Sequence, residues 1–214
     1  MRRSLLLAAL VATAVVAPRA SAACPAFLTD PAGDATVADS FAGASAPATA
    51  AASDPALDVV QADLRSTRKA LTFTARSAGD MRNPLGRKEH SLDWTFKVGY
   101  EDDGLWDLTA LFLSDGRLHT ELAHLGGSNP VQSPATDQPP VVLSKDGRLL
   151  TVTVDLTSFQ LLSDQRMGTG TAVRELQVTT TRAAQAAGYV FFVHDADTGS
   201  SAKTYLLGSK TCAR

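Results

Sequence analysis

The sequence has few cysteines, no surplus of basic residues and, beyond its first 22 residues, no long apolar run. Its 214 residues include two cysteines, 20 lysines and arginines, and 22 aspartates and glutamates, so the formal net charge is −2. The basic residues are scattered, and such a chain has no extended positive field for nucleic acid or anionic lipid. We therefore expect no nucleic-acid partner. Because no later segment is long and apolar enough for a membrane helix, we also expect no membrane span.

The first 22 residues have the three parts of a secretory signal peptide. Two arginines precede an apolar stretch that ends at Ala17, and the small residues Ala20-Ser21-Ala22 resemble a cleavage site. We expect residues 1–22 to be removed on export and residues 23–214 to form a single β-sandwich domain of a secreted, extracellular protein. The alternative is a lipid anchor on Cys24, although a serine stands where a lipidated chain carries a bulky aliphatic residue.

The two cysteines, Cys24 and Cys212, lie near opposite ends of the expected mature chain. An exported protein meets an oxidising compartment, so we expect one disulfide between them, which requires the two ends to meet. In the chain-entropy model, closing so long a loop stabilises the fold by about 4–5 kcal/mol. The pair lacks the close spacing of reactive redox cysteines, so its expected role is structural.

Alternating apolar and polar residues predict β-strands along most of the mature chain. Residues 57–65 and 70–78 are predicted to pair as a hairpin, with Leu71, Phe73 and Ala75 on one face of the second strand. Aromatic and apolar residues also alternate with polar ones between residues 91 and 101. This pattern is typical of strands that bury one face and expose the other.

Asp-Gly pairs at residues 103–104, 115–116 and 146–147 each separate apolar-rich segments and predict hairpin turns. Three further strands are predicted within residues 173–181, 188–195 and 202–209. We expect one short helix at most, with residues 159–171 and 183–187 as candidates. Many short strands without a long helix predict an all-β fold, a two-layer antiparallel β-sandwich of jelly-roll or immunoglobulin-like type.

Acidic residues recur in three turn-like sequences: DPAGD with Asp30 and Asp34, DPALD with Asp54 and Asp58, and HDADTG with Asp197. Ca²⁺ takes six to eight oxygen ligands, and closely spaced aspartates around glycine can wrap several oxygens onto one ion. Carboxylates that converged without a cation would repel one another. The sequences therefore predict a calcium site if they converge. The alternative is that Asp-Pro and Asp-Gly only form surface turns.

The order DPAGDA, then DPALDVVQADLRSTRKALTFTARSAGD, then an aromatic strand, and finally DADTGSSAKTYLLGS resembles the DOMON-like and family 9 carbohydrate-binding-module-like β-sandwich domains of secreted bacterial proteins. The resemblance covers most of the mature chain. It implies an antiparallel sandwich, structural calcium at the aspartate loops and, in some members, sugar binding. By this matching, Asp30, Asp34, Asp58 and Asp197 are the candidate calcium ligands.

Other functional motifs of such proteins are weak or absent in this sequence. Trp94 and Trp106 lie in strand patterns typical of a core, so no exposed tryptophan pair for a sugar is identified. Some DOMON relatives bind haem through Met and His, but no spacing pairs these residues here, and we expect no haem. His119 and His124 are five apart in a strand pattern, which places them on opposite faces and argues against a zinc-protease motif.

These observations predict a secreted, non-catalytic binding domain, stabilised by calcium, for an extracellular or cell-wall ligand such as a glycan. They identify no ligand-binding residues and no oligomeric state. The alternative is a cell-envelope protein, structural or interacting, whose loops at 38–56 and 126–140 bind a protein partner. An enzyme is the third hypothesis, and an apolar cleft that holds a desolvated histidine or carboxylate would favour it.

Overall fold

Two antiparallel sheets pack face to face as a β-sandwich, which confirms the predicted fold class. The computed structural model describes residues 27–33, 35, 54–85, 89–99, 104–125, 138–163, 166–186 and 189–208, and within 182–198 it describes the backbone alone. In the described part of the chain, no helix is long and apolar enough to cross a bilayer.

The described residues form eleven strands and one helix. They are β1 (Leu28–Thr29), β2 (Val59–Ser66), β3 (Ala70–Ser77), β4 (His90–Val98), β5 (Leu105–Phe112), β6 (Leu118–Leu125), β7 (Val141–Leu143), β8 (Leu149–Asp155), β9 (Ala172–Ala186), β10 (Tyr189–Ser201) and β11 (Tyr205–Leu206), with helix α1 (Leu156–Ser163) after β8. The five-stranded sheet has the order β1-β2-β3-β8-β7, and the six-stranded sheet has the order β10-β9-β4-β5-β6 with β11 paired to β9.

Predicted hairpins form between β2 and β3, β4 and β5, β5 and β6, and β7 and β8. At two Asp-Gly turns the glycine N–H donates to the carbonyl three residues earlier, from Gly116 to Leu113 and from Gly147 to Ser144, at 2.9 Å each. These glycines have φ values of 82° and 70°, in the left-handed region that favours glycine. The turn chemistry therefore sets the register of these hairpins.

The core lies between the sheets and is rich in aromatic rings. Phe73 of β3 packs against Trp94 and Phe96 of β4, with ring centroids 6.1 and 5.0 Å apart. Phe159 of α1 packs against Trp106 of β5 at 4.8 Å. All five side chains are fully buried. Because successive residues of a strand face opposite ways, the polar residues between these aromatic ones form the two outer faces of the sandwich.

The short helix, Leu156–Ser163, overlaps one of the two predicted segments, residues 159–171, and not the other. It begins after Asp155, whose carboxylate accepts a bond of 2.9 Å from the Thr157 N–H, as expected of an N-cap residue. The prediction of a helix at residues 183–187 is wrong, because residues 183–186 belong to β9 and pair with β10. Cross-strand pairing here overrides the helical propensity of the alanines.

Candidate functional site

The turn that contains Asp30 is joined to Asp58, one of the predicted calcium ligands. The Gly33 N–H donates a hydrogen bond of 2.6 Å to Oδ2 of Asp58. The Asp30 N–H donates to the carbonyl of Val60 at 3.1 Å, so the turn lies against the beginning of β2. Asp58 itself is 1% exposed. Its carboxylate therefore fixes the first described turn to the five-stranded sheet.

Asp54 has a structural role in the same corner of the molecule. Its Oδ1 accepts a hydrogen bond of 3.1 Å from the Ala56 N–H, and its Oδ2 accepts one of 2.7 Å from the Leu85 N–H. Both carboxylate oxygens thus bind backbone donors, and the side chain is 1% exposed. These bonds tie the segment before β2 to the segment after β3.

Asp197 lies in a strand, although the sequence predicted an acidic turn at residues 194–199. These residues belong to β10, where the pairing with β9 shifts register between His194 and Asp197, as at a β-bulge. The backbone of Asp197 lies opposite Thr180, whose hydroxyl donates to the carbonyl of Leu57 at 2.6 Å. The Asp197 position is therefore two contacts away from Leu57, the residue before Asp58, across the junction of the two sheets.

The predicted calcium ligands fall only partly within the described residues. Asp34 lies outside them, and the side chain of Asp197 is not among those described. Among the side chains that are described, no group of three His, Cys, Asp or Glu residues could hold a metal ion. The four-residue calcium site therefore stays a prediction, supported by the placement of Asp30, Asp58 and the Asp197 backbone in one corner.

Cys24 and Cys212 lie outside the described residues, so their disulfide also stays a prediction. The nearest described segments meet: the Ser201 hydroxyl donates to the carbonyl of Phe27 at 3.0 Å. Gly199 approaches Leu28 so closely that a Cβ there would lie 2.7 Å from the leucine side chain. Most of the two predicted interaction loops, residues 38–53 and 126–137, is likewise outside the described part of the chain.

The aromatic and sulfur-containing side chains weighed for sugar or haem binding mostly have structural positions. Trp94 and Trp106 are fully buried, as their strand pattern predicted, and Met81 is 1% exposed. His90 stacks on Phe112, with ring centroids 4.2 Å apart. His124 packs against Trp106 at 4.6 Å, on the face of β6 opposite to that of His119. The last observation confirms the predicted separation of those two histidines.

A polar cavity of about 600 Å³ lies on the outer face of the six-stranded sheet. We call it the acidic cleft, since three carboxylates and several hydroxyls line it: Asp93, Asp107 and Glu121 with Thr95, Thr109 and Thr179. No lysine or arginine is among the described residues that line it. The nearest cation on the same face of β4, Lys97, forms an ion pair of 2.9 Å with Glu175.

The register of the sheet sets the spacing of the three carboxylates. Asp93 in β4 pairs with Thr109 in β5, and Thr109 pairs with Glu121 in β6. Asp107 is two residues before Thr109, so it lies diagonally between Asp93 and Glu121. Diagonal neighbours on one face of a sheet have Cα atoms about 7–8 Å apart. Asp107 therefore has an acidic neighbour on each side.

Two hydroxyl groups orient the Asp93 carboxylate. Ser91 donates a hydrogen bond of 2.7 Å to Oδ2, and Thr109 donates one of 2.7 Å to Oδ1. Ser91 precedes Asp93 by two residues on the same strand, whereas Thr109 lies directly opposite on β5. The Asp93 side chain is thus positioned by the sheet itself, without a flexible loop.

Asp107 is partly buried and has a raised pKa. Burial, followed by the nearby charges of Asp93 and Glu121, raises the pKa of Asp107 to about 7. Its Oδ1 is buried and has no hydrogen-bond partner among the described residues. A buried carboxyl beside like charges favours its neutral form. Near neutral pH, the Asp107 carboxyl is therefore partly protonated.

The sequence contains only a weak signal for the acidic cleft. Asp93 and Thr95 occupy the polar positions of the predicted aromatic strand, which places them on an outer face. Asp107 and Glu121 also alternate with buried residues, on two other strands. Their convergence depends on the pairing of β4, β5 and β6, and each residue taken separately resembles an ordinary exposed acid.

No protein-family model matches the chain, and no curated protein or solved structure is significantly similar to it. The resemblance to DOMON-like and carbohydrate-binding domains is therefore supported only at the level of the two-sheet antiparallel sandwich.

Proposed function

We propose that the protein is a secreted, non-catalytic binding domain, stabilised by calcium, that holds an extracellular or cell-wall ligand such as a glycan in the acidic cleft. The observation that carries this proposal is a cavity of about 600 Å³ on a regular sheet face. Its hydroxyls both donate and accept hydrogen bonds, and its carboxylates accept them, which suits the many hydroxyls of a sugar.

The charge of the cleft narrows the ligand class. Three carboxylates line the cavity, and like charges across an interface are unfavourable, so an acidic sugar is a poor ligand. A neutral or amino sugar fits better, because its hydroxyl and ammonium groups can donate to Asp93 and Glu121. The proposal is thus a neutral or amino-sugar oligosaccharide, bound by hydrogen bonds along β4, β5 and β6.

A glycan array carrying neutral, amino and acidic oligosaccharides tests this proposal, followed by calorimetric titration of any hit. We expect Asp93→Asn to weaken binding at least about tenfold, since removing one charged acceptor costs about 1.5–3 kcal/mol. The matched control is Asp115→Asn, which removes the same charge from an exposed hairpin turn and should leave the affinity unchanged. A blank array, or equal affinities for the two variants, would contradict the proposal.

Calcium belongs to the same proposal and has a separate test. It is supported by the junction at which Asp30, Asp58 and the Asp197 backbone come together. We expect millimolar calcium to raise the melting temperature relative to a chelator, because a ligand that binds only the folded state stabilises it. Magnesium is the control ion. Two results would contradict the calcium site. Either calcium does not raise the melting temperature of the wild type, or it raises that of Asp30→Asn and Asp58→Asn by as much as that of the wild type.

A second candidate function, hydrolysis of a glycosidic bond, is favoured by one observation. The pKa of Asp107 is raised to about 7, and Asp93 lies diagonally across from it on the same sheet face. Acid–base hydrolysis uses two carboxyl groups at the scissile bond, one of which is protonated. Asp107 would give its proton to the leaving oxygen as the glycosidic C–O bond breaks. Water would supply the incoming hydroxyl, and its proton would pass to Asp93.

The two functions are distinguished by the Asp107→Asn variant. If the protein only binds, the wild type leaves array-positive oligosaccharides intact during prolonged incubation, as followed by chromatography of the products. If it hydrolyses them, the wild type releases shorter sugars and the variant does so at least about a hundredfold more slowly, in the range that general acid catalysis contributes. An intact ligand after incubation with the wild type would reject hydrolysis.

A further inference from the structure

A second cavity, of about 380 Å³, lies on the outer face of the five-stranded sheet, on the opposite side of the molecule from the acidic cleft. We call it the arginine groove. Its lining includes two arginines, one carboxylate and polar side chains of β2 and β3: Arg65, Arg76, Asp63, Gln61, Thr72 and Thr74. Thr151 of β8 extends the row of hydroxyls to a third strand.

The two arginines stand at opposite ends of the groove. Arg65 of β2 pairs with Thr72 of β3, and Arg76 of β3 pairs with Gln61 of β2. The two levels are therefore four residues apart, which corresponds to about 13 Å along the strands. Both side chains are exposed. A ligand lying along the groove can thus meet one guanidinium at each end.

Asp63 lies between the arginines and is already engaged by the protein. Its Oδ1 accepts a hydrogen bond of 2.9 Å from the Phe27 N–H, and its Oδ2 accepts one of 2.9 Å from Nε2 of Gln61. The carboxylate thus fastens the beginning of the described chain to β2. Its negative charge nevertheless repels an anion at the middle of the groove, while each end favours one.

The remaining floor of the groove is neutral and rich in hydroxyls. Thr72 is within 3.3 Å of the Thr153 hydroxyl on β8, and Thr74 pairs with Thr151 in the register of the sheet. At one end of the groove, hydrogen bonds from the Ser144 hydroxyl and the Arg148 N–H lower the pKa of the exposed Asp146, and the charge of Arg76 lowers it further. An anionic ligand at this end of the groove therefore competes with Asp146 for Arg76.

We propose that the arginine groove binds an acidic oligosaccharide in which carboxylate-bearing sugars alternate with neutral ones. The carboxylates pair with Arg65 and Arg76, since a guanidinium matches the planar geometry of a carboxylate. The neutral sugar between them lies over Asp63 and the threonines. The Asp63 carboxylate accepts hydrogen bonds from the sugar hydroxyls, and the threonine hydroxyls both donate to them and accept from them. This ligand class is the opposite of the one that suits the acidic cleft, so the two sites are independent.

The test is calorimetric titration of the whole protein with a hyaluronate octasaccharide, which has a carboxylate on every second sugar. We expect binding that weakens as salt is raised, because exposed charges are screened. Arg65→Gln and Arg76→Gln should each lower the affinity by about fivefold or more, as expected for loss of one charged pair. Arg117→Gln removes the same charge from an exposed hairpin and should leave the affinity within twofold.

Two comparison ligands complete the test. A neutral chitin oligosaccharide should not respond to the Arg65 and Arg76 variants, and polygalacturonate, with a carboxylate on every sugar, should bind more weakly than hyaluronate. Failure of the wild type to bind the octasaccharide at millimolar concentration would overturn the proposal, as would equal affinities of the Arg65→Gln and Arg117→Gln variants. Whatever this outcome is, the glycan array and the titration of Asp93→Asn test ligand binding in the acidic cleft independently of the arginine groove.

Discussion

The two outer faces of the sandwich have the same architecture and opposite chemistry. Each consists of the alternate, outward-facing residues of antiparallel strands, and each has threonines at its centre. The face of the six-stranded sheet gathers Asp93, Asp107 and Glu121, whereas the face of the five-stranded sheet places Arg65 and Arg76 around a single carboxylate. A chain with a formal charge of −2 thus presents two local fields of different sign.

The difference between the faces shows how an acidic side chain changes its properties with its neighbours. Asp63 on the five-stranded sheet has both oxygens bound by donors from the protein. Asp107 on the six-stranded sheet is buried between two other acids, and its pKa rises to about 7. Burial beside like charges favours the neutral form of a carboxyl, which explains the raised pKa of Asp107.

The largest expected effect tests whether the two faces depend on one core. Phe73→Ala should lower the free energy of unfolding by about 3–5 kcal/mol, because it opens a cavity between the aromatic rings of both sheets. Urea denaturation monitored by tryptophan fluorescence should still show one transition. The control is Val142→Ala, at a position 64% exposed, which should change stability by less than about 0.5 kcal/mol. Two separate transitions would show that the sheets unfold independently.

A smaller effect is expected at the junction of the two sheets. In the presence of a chelator, Asp58→Ala should lower the free energy of unfolding by about 1–3 kcal/mol, because it removes the buried carboxylate that accepts the hydrogen bond from the Gly33 N–H. The same denaturation experiment measures it. Asp30→Ala is the matched control, since its backbone N–H, and not its side chain, makes the bond to Val60. Equal losses in both variants would contradict the assigned role of Asp58.

The next effect is confined to the acidic cleft and depends on pH. Between about pH 4 and pH 7, folded Asp107 keeps a proton that the unfolded chain releases, so the free energy of unfolding should fall as pH rises and level off above pH 7. Asp107→Asn should remove this loss and be more stable than the wild type at pH 8 by about 1–2 kcal/mol.

Denaturation at pH 5 and pH 8 measures the Asp107 effect, and Asp115→Asn serves as the control. Hydrogen bonds from Arg117 lower the pKa of Asp115, so that carboxyl is ionised in both states over this range and its removal should not change the slope. Glu121, His119 and Lys97 also belong to this face and are kept in both variants. The prediction would be contradicted if the free energy of unfolding changed by the same amount between pH 5 and pH 8 in the wild type and in Asp107→Asn.

The smallest effect is expected at the rim of the acidic cleft. Lys97→Met breaks the ion pair with Glu175, whose side chain is 54% exposed, and should lower the free energy of unfolding by less than about 0.5 kcal/mol, because exposed ion pairs contribute little. It should also leave glycan affinity unchanged, since Lys97 does not line the cleft. A tenfold change in the glycan affinity of Lys97→Met would show that Lys97 belongs to the binding site.

Local patterns were sufficient to predict most strands and their exposed sides. Phe73 and Trp94 alternate with polar neighbours, and the period of two places them in the core whatever the partner strand is. The glycines of the Asp-Gly turns adopt left-handed backbone that few other residues favour, so those hairpins could also be predicted. The helix at residues 183–187 was predicted wrongly, because antiparallel pairing of β9 with β10, the next strand along the chain, outweighs the propensity of a few alanines.

The sites could be predicted far less completely than the strands. Asp30 and Asp58 are two of the four predicted calcium ligands, and the bond from Gly33 to Asp58 connects their segments, while the four-residue site stays a prediction. Asp107 could not be singled out, since its pKa depends on burial and on charges contributed by β4 and β6. Arg65 and Arg76 resemble scattered surface cations until the register of β2 and β3 aligns them.

The sequence by itself determined that the chain folds into antiparallel strands with one apolar and one polar side each, because side-chain alternation and turn chemistry act over a few neighbouring residues. The tertiary structure decided which polar sides come together. Strand order places Asp93, Asp107 and Glu121 on one sheet and both groove arginines on the other. Electrostatic fields and binding cavities arise from residues distant along the chain, and only their pairing across strands creates them.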